Sequence, residues 1–110
     1  MAENKEYMTR ELENGTVSIN EEVITTIAIA AVRDVEGVMS LKNDRKGIHV
    51  ALGEDSVEIE CGLVVIYGHS VVEIAKNVQN AVTNAVESMT GLKVAHVDVN
   101  VIGISMGKQG

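Results

Sequence analysis

The hydrophobic positions of this chain change period along the sequence, and each stretch of constant period predicts one element. Alternation in steps of two is typical of strands, whereas spacings of three and four are typical of helices. The segment "TVSI" alternates with Val17 and Ile19 on one face. It predicts a short first strand that leads directly into a helix.

The first helical pattern begins after Asn20. Asn20 can cap the helix, and so can Ser18 with Glu21 three residues later. Gly37 predicts the end of the helix as a C-terminal glycine. The apolar stripe between these ends consists of Ile24, Ile27, Ala28, Ala31 and Val35.

Two strand patterns follow, "GIHVAL" and "VEIECGLVVIY", and the short polar loop "GEDS" between them predicts a hairpin. In the second strand Glu58 and Glu60 mark the face toward water. Val64 and Ile66 break the alternation, because they are apolar on that same face. The inward positions of this strand are Val57, Ile59, Cys61, Leu63, Val65 and Tyr67.

A second helical pattern runs from Ser70 to Thr90, and Gly91 predicts its end. Ser70 and Glu73 have the Ser-x-x-Glu spacing of a capping box. The last strand pattern, "VAHVDVNVIGI", alternates valines with polar side chains. It places Val97, Val99 and Val101 inward and His96, Asp98 and Asn100 outward.

The predicted order is therefore βαββαβ. Two helices on one face of a mostly antiparallel sheet give an α+β two-layer sandwich. Ferredoxin-like and KH-like strand orders both remain open. We expect the folded domain to span residues 15–104, with a flexible N-terminal segment at 1–14 and a flexible tail at 105–110.

Composition narrows the function classes. The chain has 110 residues, the size of one domain, and its net charge is −7 with nine scattered basic residues. This balance disfavours nucleic acid as a partner, because phosphate binding needs a basic surface. The basic residues that cluster, Lys42, Arg45 and Lys46, fit a solvated turn better than a phosphate-binding loop.

Cellular location is predicted from the cysteine content and the N-terminus. Cys61 is the single cysteine, and its place in a strand pattern fits a buried thiol in a reducing cytosol. The first residues are too charged for a signal peptide, and no apolar run reaches the roughly 18 residues of a membrane helix. We expect a cytoplasmic protein without direct membrane insertion.

The segment "GHSVVE" carries the residue types of a nucleophile and its base. Ser70 with His69 as base would be the catalytic reading, but the Gly-x-Ser-x-Gly pattern of a nucleophile elbow is absent. The capping box of Ser70 and Glu73 explains the spacing without chemistry. We therefore expect no catalytic residue, no cofactor and no enzyme activity.

The polar face of the predicted sheet is considered next, as a possible metal site. The side chains with suitable ligand atoms are His49, Glu58, Glu60, His96, Asp98 and Asn100. The same residues are also ordinary for a sheet face in water, and no short ligand spacing supports a metal. The sequence thus assigns no metal ligand and leaves His49, His96 and Asp98 as the residues to examine.

Val64, Ile66 and Val71 are apolar in excess of what one buried sheet face requires. Either the N-terminal segment covers them, or a second copy of the chain does. We favour the second copy and predict self-association through these three residues.

Several motifs together resemble the alkaline shock protein or Gls-type envelope stress response family of Gram-positive bacteria. They are "EVI" at residues 22–24, "VEGV" at 35–38, "VIYG" at 65–68 and "MTGL" before the final strand. The resemblance covers residues 15–104. Relatives often carry a longer glycine-rich, basic insertion after the first helix, which is short in this chain, and often a proline near the start of the second helix, where Val71 and Val72 stand.

The resemblance implies a small cytosolic, non-enzymatic protein of envelope homeostasis that self-associates as a scaffold or adaptor. Family members are in some cases held at the membrane by an anchor protein. A sub-branch is associated with acetyl-CoA carboxylase and fatty-acid synthesis, so carboxylase subunits are the alternative partners. A KH-like nucleic-acid-binding protein is the alternative from a different class.

Overall fold

The computed structural model describes residues 7–42 and 47–106 as two helices on one face of a sheet, with a separate hairpin at the N-terminus. The α+β two-layer class predicted from the sequence is confirmed. The elements in chain order are β1 (Tyr7–Leu12), β2 (Gly15–Asn20), α1 (Glu21–Arg33), β3 (Val38–Leu41), β4 (Ile48–Leu52), β5 (Ser56–Ile66), α2 (Val71–Thr90) and β6 (Lys93–Ser105).

β5 is the central strand of the main sheet. On one side, β4 pairs antiparallel with residues 57–61 of β5, and β3 pairs antiparallel with residues 63–65. On the other side β6 runs parallel to β5 from Ser56 to Ile66. The sheet is therefore three strands wide, and β6 forms one of its edges.

The strand before α1 lies outside this sheet. A ferredoxin-like order would include it among the four strands of one sheet. Here β2 pairs with β1 instead, in a two-stranded sheet of its own. β3, a strand that the sequence did not predict, extends the edge that β4 begins.

The core lies between the helices and the inner face of the sheet. Ile24, Ala28 and Val32 of α1 are fully buried, and so are Val78, Val82 and Val86 of α2. From the sheet, Val57, Cys61 and Leu63 complete this layer with no exposed surface. The inward positions predicted for β5 are thus confirmed, except for Tyr67, which lies beyond the end of the strand and is 65% exposed.

The N-terminal hairpin corrects the predicted domain start. Residues 1–14 were expected to be loose, and this is wrong for Tyr7–Leu12, which form β1. Met8 is buried opposite Ile19, and Arg10 donates through Nη1 to the carbonyl of Gly91 over 2.9 Å. At the other end, Ser105 closes β6; residues 1–6 and 107–110 lie outside the described residues.

The helix ends follow local chemistry. The side chain of Asn20 caps α1 by accepting from the Val23 amide at 3.1 Å. Of the two predicted caps, Asn20 is therefore confirmed rather than Ser18 with Glu21. The predicted end at Gly37 is wrong, because α1 ends at Arg33 with Asp34 as its cap. Gly91 ends α2 as predicted, in the left-handed region with φ +75°.

Gly37 has a different role from the one predicted. Its φ is +97°, and a Cβ there would lie 2.7 Å from Cδ1 of Ile74. Both the backbone conformation and the close approach of α2 require glycine at this turn into β3.

Candidate interaction surface

The helices cover the inner face of the sheet. The outer face has a polar half, and exposed apolar side chains from both faces gather where β5 and β6 end. In the polar half the register pairs Glu58 with His96 and Glu60 with Asp98, and on the other side His49 with Glu60. Directly paired residues point to the same face of a sheet. The predicted outward positions of the last strand are therefore confirmed.

His96 is the centre of the polar half. Its Nε2 lies 3.8 Å from Oε1 of Glu58 and 3.7 Å from Oδ2 of Asp98, and all three side chains are more than half exposed. Asn100 donates to Oε2 of Glu60 over 2.9 Å. His49, Glu58, Glu60, His96 and Asp98 line a shallow depression in the sheet surface.

This arrangement does not assemble a metal centre. Among the residues at 7–42 and 47–106, no group of three His, Cys, Asp or Glu side chains is placed to hold a metal ion. His96 lies near two exposed carboxylates, and exposed contacts of this kind contribute little to stability.

Val64 and Ile66 begin the apolar end. Both are half-buried rather than open, because β3 and β6 flank them: Val64 pairs with Ser40 and Gly103, and Ile66 pairs with Ser105. β1 does not cover them, since its Arg10 is bonded to Gly91 at the C-terminus of α2. The described part of the N-terminal segment therefore does not cover Val64 and Ile66, which was one of the two possibilities considered from the sequence.

Further exposed apolar side chains lie around Val64 and Ile66. Tyr67 is 65% exposed, Val72 63%, Ile102 50% and Ile104 56%. Val71, predicted with Val64 and Ile66, is 37% exposed as the first residue of α2. We call the apolar end the set Met39, Val64, Ile66, Tyr67, Val71, Val72, Ile102, Ile104 and Met106.

A β-bulge explains why the contribution of β6 to the apolar end was not predicted from the sequence. The pairing of β6 with β5 shifts between Leu63 and Val64, so Val101 pairs with Leu63 but Gly103 pairs with Val64. Beyond this shift the strand continues with the opposite parity. Ile102 and Ile104 thus come to flank the end of the sheet on both of its faces.

The segment "IYGHSVVE" joins β5 to α2 and is a helix start. Gly68 has φ +103°, and the Ser70 hydroxyl accepts from the Glu73 amide over 3.2 Å. This is the predicted cap, although no bond from the Glu73 carboxylate back to Ser70 is present among the described contacts. His69 lies against Gly37, where a Cβ would be 3.3 Å from its Cγ.

Cys61 and the basic cluster are the remaining residues considered from the sequence. Cys61 is fully buried, and burial, with a smaller effect from the Glu60 charge, raises the pKa of its thiol to about 12. The thiol therefore stays protonated and unreactive at neutral pH. Arg45 and Lys46 lie outside the described residues, and the amide of Lys42 donates to Gly62 in the sheet.

Within residues 7–42 and 47–106, neither helix is long and apolar enough to cross a membrane. α2 is the longer at 20 residues, and its apolar side chains form one stripe rather than a continuous run. That stripe is already used in the core of the domain.

Residues 9–106 match the model of the alkaline shock protein 23 family, which is described as having a cell envelope-related function. The chain is 30% identical over 104 residues to the uncharacterized protein YqhY of Bacillus subtilis, covering 82% of this chain and 77% of that one. It is also 30% identical over 102 residues to the uncharacterized protein Spy1535 of Streptococcus pyogenes, covering 82% and 79%.

Solved structures with a similar fold include variants of the MamM CTD. One superposes with a TM-score of 0.55 at 15% identity, covering 76% of this chain and 99% of that one. Another has a TM-score of 0.54 at 16% identity, covering 74% and 94%. At this level of identity the likeness concerns the fold.

Proposed function

This chain belongs to the alkaline shock protein 23 family, whose function is related to the cell envelope, and from that premise we propose that it is a non-enzymatic scaffold or adaptor. It associates with itself through the apolar end. The observation that carries this proposal is the concentration of exposed apolar side chains where β5 and β6 end and α2 begins.

Exposed apolar surface of this kind is costly in water. Single exposed apolar residues are normal, but a contiguous group marks a contact surface. Burial contributes roughly 25 cal/mol per Å² of apolar surface removed from water. A second copy of the same patch would remove that surface on both chains at once.

The charge distribution supports contact at this place. The net charge of −7 makes two copies repel each other over most of their surface. None of the nine residues of the apolar end carries a charge. Two copies therefore meet with least repulsion at the apolar end.

The residue considered as a nucleophile supports a contact role over a catalytic one. The Ser70 hydroxyl accepts from the Glu73 amide as a helix cap, and the Cys61 thiol is buried. A scaffold at the envelope needs a further protein contact, either with a membrane-anchor protein or with carboxylase subunits. Binding assays with each purified protein distinguish these two partners.

The test of self-association uses two matched substitutions. Ile102→Lys places a charge within the apolar end, and Leu12→Lys places the same charge at the tip of the hairpin, where Leu12 is 60% exposed. Light scattering over a concentration series should show growing mass for the wild type and Leu12→Lys. Ile102→Lys should remain monomeric with an unchanged melting temperature.

Two results would reject the proposal. A wild type that stays monomeric at every concentration removes self-association altogether. Equal loss of association in both variants means that added charge acts through the whole molecule and not through the apolar end.

A further inference from the structure

The apolar end contains two methionines, Met39 and Met106, on opposite sides of β5. Met39 is the extra residue of a β-bulge, because its neighbours Val38 and Ser40 pair with consecutive residues of β5. Met39 therefore has no direct partner in β5, and it is 44% exposed. The bulge presents its thioether to the solvent.

Met106 directly follows β6, where the backbone is held to the end of β5. Ser105 pairs with Ile66, and its carbonyl accepts from the Tyr67 amide over 2.8 Å. Met106 is the next residue and is 69% exposed. Since β3 and β6 flank β5, they are two strand spacings apart, or about 10 Å. One contact surface can therefore include both methionines.

These two thioethers are the groups of the apolar end that a mild oxidant changes. Hydrogen peroxide transfers one oxygen to the sulfur of methionine. An S–O bond forms, the O–O bond breaks, the sulfur loses two electrons, and the second oxygen leaves as water. The product, methionine sulfoxide, is polar, whereas the thioether is apolar. The other residues of the apolar end are aliphatic except for Tyr67.

We propose that the apolar end is a redox-sensitive contact, in which sulfoxides at Met39 and Met106 prevent association of two copies and leave the fold intact. This rests on the self-association proposed above and adds its regulation. A sulfoxide buried in the contact loses its hydrogen bonds to water, and an unpaired buried polar group is costly.

The composition of the apolar end makes this cost hard to offset. The hydroxyl of Tyr67 is the only side-chain hydrogen-bond donor among its residues. Two oxidised copies bring together two sulfoxides each and one tyrosine hydroxyl each. Side-chain donors can therefore serve at most half of the sulfoxides.

Other sulfur groups of the described residues are protected from oxidation by burial. Met8 is 6% exposed and belongs to the core, whereas Met39 and Met106 lie outside the core. Cys61 is fully buried, and its thiol stays protonated at neutral pH, where only a thiolate reacts readily. Mild oxidation therefore changes the contact surface before it reaches the core.

Met89 provides a matched control. It is 71% exposed, as Met106 is, but it lines a groove between α1 and α2 with Ile27 and Ala85. Met89 lies near the end of α2, about 25 Å along the helix axis from Val72 of the apolar end. Oxidation of Met89 should leave the contact unchanged.

The test compares the wild type, the double variant Met39→Leu with Met106→Leu, and Met89→Leu before and after treatment with hydrogen peroxide. Leucine is apolar and of similar size, so all three should associate before treatment. After treatment, light scattering should show association weakened about tenfold or more in the wild type and in Met89→Leu, and unchanged in the double variant. Met1 is present in all three proteins, so its oxidation is common to them.

Two further measurements locate the effect. Methionine sulfoxide reductase should restore association of the treated wild type, because it returns the sulfoxide to the thioether. The melting temperature of the treated wild type, measured at a concentration where the chain is monomeric, should equal that of the untreated protein.

The outcomes separate this inference from the proposal on which it rests. Undiminished association after peptide mass mapping shows sulfoxide at Met39 and Met106 leaves self-association intact and contradicts redox sensitivity. Equal loss of association in the double variant, a lower melting temperature of the treated monomer, or no sulfoxide at these two residues also contradicts it. An untreated wild type that never associates contradicts both proposals.

Discussion

Gln79 on α2 donates its side-chain amide to the main-chain carbonyl of Val97 on β6, across 3.0 Å. The bond is made at the rim of the sheet, by a side chain that is itself exposed. Glu87 of the same helix accepts from the amide of Val94 over 2.9 Å. Two side chains of α2 thus supply partners for backbone groups at the edge of β6.

Removing this bond should weaken the contact between α2 and the edge of β6. In Gln79→Ala the carbonyl of Val97 loses its side-chain partner, at a net cost of about 1 kcal/mol. We expect a melting temperature about 4–8 °C below that of the wild type. Asn80→Ala controls for helix propensity on an exposed neighbouring position, and equal melting temperatures of the two variants would show that the bond to Val97 does not stabilise the fold.

The Ser70 cap should be measurable as stability. Ser70→Ala removes the acceptor for the Glu73 amide, at a cost of about 1 kcal/mol. For a domain of this size that corresponds to a decrease in melting temperature of about 4–8 °C. Ser70→Asp retains an acceptor and should melt near the wild type; an unchanged melting temperature in Ser70→Ala would remove the cap from the account.

The buried thiol predicts a loss of stability in alkali. In the unfolded chain Cys61 ionises near its ordinary pKa of 9.0, whereas in the fold its pKa is about 12. The folded chain therefore retains a proton that the unfolded chain releases. The associated stability is fully present below pH 9 and decreases as the pH rises toward 12, by at most about 1.4 kcal/mol per pH unit.

Denaturant unfolding at pH 8 to 10.5 measures this slope. Cys61→Ala should lack the part of the slope that the thiol contributes, although its stability is lower at every pH because the core loses volume. Identical slopes in the two proteins would show that the thiol does not titrate between the two states in this range.

The contact between the hairpin and α2 depends on one cation. Arg10 binds the Gly91 carbonyl at the C-terminus of α2, where a positive charge is favourable to the helix dipole. In Arg10→Met we expect a loss of about 1 kcal/mol and faster amide exchange in β1 and β2 than in the main sheet. Unchanged exchange in the hairpin would mean that the burial of Met8 and Ile19 suffices to hold it.

Much of the fold follows from local pattern. β2, β4, β5, β6 and both helices were predictable because each has an apolar face with a clear period. β1 and β3 were not, since β1 has a charged sequence, "YMTREL", and depends on pairing with β2, and β3 is four residues long. The end of α1 was misjudged because Gly37 is required by the approach of Ile74, which no local pattern reveals.

The candidate surface was predictable only in part. Val64 and Ile66 stood out because they broke an alternation, and Val71 because it was apolar at a helix start. Ile102 and Ile104 looked like ordinary members of a strand until the bulge after Val101 changed their parity. The hydrogen bonds of Gln79 with Val97 and of Glu87 with Val94 join residues that are 18 and 7 positions apart. They depend on how α2 packs beside β6, so sequence spacing could not indicate them.

The most direct test of the central claim is a dilution series of two-dimensional amide NMR spectra of the wild-type chain. We predict that the resonances that shift with concentration are those of Tyr67, Val72, Ile102 and their neighbours in the apolar end, while those of Leu12 at the hairpin tip and Val17 in β2 stay constant. Spectra that do not change with concentration, or changes that map to the hairpin or to α1, would contradict self-association through the apolar end.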